Sequence, residues 1–103
     1  MMETVLQAWI YDGGALHEVI ESLDPRPILD RLHEFGFAGS TEFRAELKLC
    51  ELDAKGRATT VMGTWHVVPG AVPAGCRKAR VCVSDDGTTR DLLDFCRDLA
   101  VTV

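Results

Sequence analysis

The chain has 103 residues, of which 47% are hydrophobic and 26% charged, with a formal net charge of −5. This is the composition of one globular domain, and residues 1–103 are read as a single α+β unit that can bury roughly two-thirds of its unfolded surface without staples. Low-complexity tracts, internal repeats and an apolar run of the ~20 residues needed to cross a bilayer are all missing from the sequence.

The charge is unevenly placed. Up to Asp53 there are eleven acids and four bases, and from Ala54 onward five acids and seven bases. The only basic cluster is Cys76-Arg77-Lys78-Ala79-Arg80. A nucleic-acid binder needs a concentrated basic face, so direct nucleic-acid binding is not expected. An acidic front half fits a basic protein partner.

The opening "MMETVLQAWIYD" has no basic leader. The expected compartment is therefore the cytoplasm, and the small, compact design fits a bacterial or phage protein. Cys50, Cys76, Cys82 and Cys96 contain no C-x-x-C pair, so neither a disulfide framework nor a cofactor is expected.

Thr4 to Tyr11 predicts a strand, rich in Val, Leu, Trp, Ile and Tyr and stopped by "DGG". In Ala15 to Leu23, the residues Leu16, Val19, Ile20 and Leu23 fall at i, i+3, i+4 and i+7. That spacing predicts a helix with one apolar stripe. A second helix should start after Asp24 as N-cap, with Pro25 in the first turn and Ile28, Leu29, Leu32 and Phe35 on its buried face. Gly36 can end that helix, and Phe37 can fold back onto it.

Glu42 to Leu52 alternates strictly: Phe43, Ala45, Leu47 and Leu49 against Glu42, Arg44, Glu46 and Lys48. This predicts a strand with one wet face. "DAKG" turns the chain, and Arg57 to Val68 returns as the partner strand of a hairpin. Its alternation places Val61, Gly63, Trp65 and Val67 together, and Met62, Thr64 and His66 opposite. Ala79, Val81 and Val83 predict a short strand after the Pro69–Gly75 loop.

In "SDDGTTRDLLDFC", Ser84 to Cys96, Thr88 is read as an N-cap with Asp91 three residues later. The last helix then runs from about Thr89 to Ala100, and "VTV" is a strand stub. The expected order is β-α-α-β-β-β-α. That is a mostly antiparallel sheet of about four strands with helices packed on one face, nearest to the split βαββαβ plan.

The Ser84–Cys96 stretch resembles, over about a dozen residues, a helix start in the small sulfur carriers of the TusA/SirA type. That family carries sulfur on a Cys-Pro-x-Pro motif. Here Asp24 to Pro27 reads "DPRP", with aspartate where the thiol would be. The resemblance therefore implies no persulfide chemistry at that position, and membership is not claimed.

His17, His33 and His66 are scattered, and Cys82 with His66 across neighbouring strands is the only ligand-like pairing, so no metal site is assigned. Cys76, flanked by Arg77 and Lys78, is the one candidate reactive thiol. Asp12-Gly13-Gly14 lacks the Lys and Ser/Thr of a phosphate loop, and Asp85-Asp86 reads as a solvated pair before a helix.

With no catalytic constellation, the leading reading is a small non-enzymatic protein-binding module: an inhibitor, an immunity-type protein or an accessory subunit. Its expected contact surface is Glu18, Glu21, Asp30 and Glu34 on exposed helix faces, with Trp65 as an aromatic anchor if exposed and a free sheet edge beside the Glu42–Lys48 strand. The alternatives are a small thiol-dependent enzyme or sulfur-carrier-like protein using Cys76 or Cys82, and a homo-oligomeric structural module.

Overall fold

The computed structural model describes residues 3–34, 43–72, 74–76 and 80–102. Its elements, in chain order, are β1 (Thr4–Asp12), β2 (Ala15–Ser22), α1 (Pro25–Glu34), β3 (Phe43–Leu52), β4 (Ala58–Pro69), β5 (Val81–Asp85), β6 (Thr88–Asp91) and α2 (Leu92–Thr102). The strands form one six-stranded sheet in the order β2-β1-β3-β4-β5-β6, and all neighbours are antiparallel.

This corrects the expected four-strand plan in two places. The first is Ala15 to Leu23, which forms β2 and not a helix. Gly13 (φ 59°) and Gly14 (φ 89°) make a two-residue turn with both φ values positive, the geometry that matches strand twist in a tight hairpin. Asp12 then pairs with Ala15 and Trp9 with Val19. The helix-like spacing has a specific cause. The register shifts between Ile10 and Tyr11, so that Tyr11 faces Leu16 while Ile10 faces Glu18. His17 is the extra residue of this bulge, and it returns Leu16 and Val19 to one face three positions apart.

The second correction concerns the last helix. Thr88 does not cap it: Thr88 to Asp91 form β6, hairpinned to β5 through Asp86 (φ 48°) and Gly87 (φ 79°). Asp91 does the capping one turn later, its Oδ2 accepting the Leu93 N–H at 3.2 Å. Val101 and Thr102 of the expected strand stub belong to α2.

α1 begins at Pro25, with Asp24 Oδ1 accepting the Arg26 N–H at 3.0 Å. Pro25 has no N–H to leave unpaired there. The expected roles of Phe35, Gly36 and Phe37 lie outside the described residues. Between β3 and β4, Asp53 Oδ1 accepts the N–H groups of Lys55 and Arg57, both at 2.9 Å, and fixes the turn.

One face of the sheet carries the core. Leu6, Ala8 and Ile10 of β1, Ala45, Leu47 and Leu49 of β3, Val67 of β4, and Val81 and Val83 of β5 pack with Ile28 and Leu32 of α1 and Leu92, Phe95 and Cys96 of α2. Trp65 packs against the edge of this cluster, its ring meeting Phe95 edge-to-face with centroids 5.0 Å apart. A second bulge, between Leu49 and Cys50, leaves Met62 unpaired and sets Val61 opposite Cys50. Val61 therefore lies on the face away from Gly63, Trp65 and Val67, where simple alternation had grouped it with them.

Candidate functional site

The four acids expected to form one patch do not share a face. Glu18, opposite Ile10, lies on the core side of β2 and reaches α1. Arg31 donates to it from Nε at 2.8 Å and from Nη2 at 3.0 Å, and from Nη1 to Glu34 at 2.5 Å. The fork-shaped guanidinium thus ties the edge strand to the helix and engages two of the four acids. Glu18 titrates below its ordinary value because of the hydrogen bond from Arg31. Glu21, opposite Gln7, lies on the other face and accepts from Gln7 Nε2 at 3.0 Å. Asp30 is exposed on α1. Trp65 is half-buried on the core side, turned toward Phe95.

The opposite face of the sheet has a different character. Both helices contribute to the core cluster on the Leu6–Ala8–Ile10 side, so the Val5–Gln7–Trp9–Tyr11 side has no helix among the described residues packed on it. Trp9 lies between Val19 of β2 and Glu46 of β3. Its Nε1 donates to Gln7 Oε1 at 2.9 Å, and Lys48 Nζ sits 4.5 Å from its ring centroid. This cation–π contact and the hydrogen bond hold the indole in place. The Tyr11 hydroxyl is raised in pKa by desolvation and by the nearby Glu46 carboxylate. Beside these aromatics stand Leu16 at 49% exposure and Val19 at 40%.

Among the described residues β2 is also a sheet edge, pairing only with β1. The free edge expected beside the Glu42–Lys48 strand is not there: β3 is interior, between β1 and β4, and the edges are β2 and β6. β2 carries no Lys and no Pro to blunt it, and its edge protection is limited to the bulge at His17 and the inward-facing Glu18. Helix-like spacing put Leu16 and Val19 on a buried stripe, whereas both are exposed. The available signal was "DGG" between two apolar runs, one of them β-branched, which marks a hairpin.

The thiols separate cleanly. Cys76 is exposed, and Cys50, Cys82 and Cys96 are buried. Burial pushes the thiols of Cys50 and Cys82 up, and that of Cys96 up to about 11. Arg77 and Lys78, the bases expected to activate Cys76, lie outside the described residues. Cys82 pairs with Val68, and His66 with Ser84, so the two are diagonal neighbours on the face opposite the helices and not a direct pair. Among the described residues no group of three His, Cys, Asp or Glu side chains could hold a metal ion, and no helix is long and apolar enough to cross a membrane.

Compared with known proteins, the chain matches no family model, no curated protein and no solved structure.

Proposed function

We propose that the chain is a small non-enzymatic protein-binding module of a bacterial or phage cytoplasm, acting as an inhibitor, immunity-type or accessory protein. Its contact surface is the β2 edge with the adjoining Trp9–Tyr11 face. The observation that carries this reading is the pairing of an eight-residue edge free of Lys and Pro with exposed Leu16 and Val19 beside two aromatics. An unpaired edge offers backbone donors and acceptors to an added strand, and alternate side chains supply specificity. Glu21, on the same face as Val19, favours a basic partner at this surface.

The test is affinity capture of the tagged chain from its native host, run alongside two variants. Leu16→Glu/Val19→Lys places charge on the edge. Thr88→Lys does the same at the far edge, on exposed β6. A stoichiometric partner retained by Thr88→Lys and weakened about tenfold or more by Leu16→Glu/Val19→Lys is the expected result. Capture equal for both variants, or no stoichiometric partner, refutes it. A concentration-dependent mass above 11.3 kDa, lost in the β2 variant, would instead make the partner a second copy of the chain.

A further inference from the structure

At one end of the helix-covered face, the start of β1 meets the first turn of α1 and the side of α2. These elements leave an open cleft of about 300 Å³. Leu6 and Leu49 of the sheet, Leu23 and Pro25 at the entry to α1, and Leu93 and Cys96 of α2 line it. These groups are apolar or, in the case of the buried Cys96 thiol, uncharged at neutral pH. Leu23 is 76% exposed at the lip, an apolar side chain with little of its surface covered.

Two of the cleft's polar lining residues are cations. Arg26 and Arg97 both line it, with side chains 80% and 75% exposed. Arg26 Nε is 3.8 Å from Asp24, and Arg97 Nη1 is 3.7 Å from Asp94. Both distances exceed the ~2.8 Å of a charge-assisted hydrogen bond, and each guanidinium has five N–H donors to direct elsewhere. The one carboxylate on the lining, Asp24, is turned into the α1 cap by its bond from the Arg26 N–H. Asp98, one residue beyond Arg97, is bonded to Arg90.

A cleft lined by leucines, with two exposed cations also on its lining, suits a ligand with an apolar body and an anionic head. The volume is at the small end of ligand pockets, about 300–1,000 Å³, which suits a small molecule and not a folded segment. We propose that this cleft binds a small amphipathic carboxylate, its apolar body against Leu23, Leu93 and Cys96 and its carboxylate at Arg26 and Arg97. The site is built from different elements than the β2 surface, and the two proposals stand or fall separately.

The probe is decanoate, titrated below its micellar range into the full ¹⁵N-labelled chain while amide shifts are followed. Saturation at one equivalent is expected, with the largest shifts at Leu23–Arg26 and Leu93–Arg97. Decanol should bind more weakly than decanoate. Arg26→Gln/Arg97→Gln, at two exposed positions, should weaken decanoate about tenfold or more, the scale of one lost charge-assisted contact. The proposal is overturned by a lack of saturation, by shifts centred on Leu16 and Val19, by decanol binding equally well, or by a folded double variant of unchanged affinity. The map on the unmodified chain decides the matter even if that variant does not fold.

Discussion

Gly63 and Trp65 offer the sharpest test of the core. Both face the helices, opposite Leu49 and Leu47. A Cβ added at Gly63 would stand 2.9 and 3.0 Å from Trp65 Cζ2 and Cζ3, and closer still to Cη2. The indole has little room to retreat, because Phe95 meets it edge-to-face at 5.0 Å. Gly63→Ala should therefore cost about 1–3 kcal/mol by overpacking. Removing a strand-interior glycine returns about 0.5–1 kcal/mol. The net expectation is a loss of about 1–2 kcal/mol, or roughly 4–16 °C in Tm for a domain of this size. In a Trp65→Leu background the clash disappears, and the same Gly63→Ala change should become neutral or stabilising by about 0.5–1 kcal/mol. Urea unfolding of the four proteins gives a double-mutant cycle with an expected coupling of about 2 kcal/mol. Equal costs in both backgrounds would mean that the indole does not lie over Gly63, and the packing described for this strand would be wrong.

The cysteines predict a labelling pattern. Iodoacetamide near neutral pH should modify Cys76 alone in the folded chain, with Cys50, Cys82 and Cys96 reacting only after denaturation; mass spectrometry showing a second cysteine modified as fast as Cys76 would refute the burial assigned to it. A Cys76 rate far above that of a free thiol would favour the thiol-dependent alternative over the binding module. The Glu18–Arg31 bridge predicts an acid-dependent stability. Glu18 is lowered below its ordinary 4.5 by Arg31, so its contribution is fully present above the unfolded pKa and is lost as pH falls through the lower folded value. Glu18→Gln should flatten the acid limb of a stability–pH profile and leave the slope near neutrality unchanged; an unaltered acid limb would remove the bridge as its cause.

Much of the fold was legible where local chemistry and tertiary pairing agree. β3 alternates without exception from Phe43 to Leu49, and its inward Ala45, Leu47 and Leu49 are buried. Asp24-Pro25 announces α1 because capping and the missing proline N–H are local effects. The failures come where a bulge or a neighbouring strand decides. One extra residue at His17 gave β2 the spacing of a helix, and one at Met62 moved Val61 across the sheet. The Thr88–Asp91 segment carries every feature of a helix cap, and only its pairing with β5 makes it a strand. The candidate site suffered from the same cause. The faces of Trp65, Glu18 and Glu21 depend on strand register, which alternation within one segment does not fix.

The anchoring of β2 separates its role from that of the core. The strand gives the buried cluster only a partly covered Ile20, and its link to the helix layer is the Glu18–Arg31 bridge. The buried mass lies in β1, β3 and β5 with the two helices. Substitutions at Leu16 and Val19 therefore remove little buried apolar area, and surface changes of this kind are usually worth within about 0.5 kcal/mol of stability. An edge that contributes so little to the core, yet keeps two large apolar side chains in water beside Trp9 and Tyr11, is not explained by stability. On the proposed function, burial of those side chains is gained on binding instead of on folding.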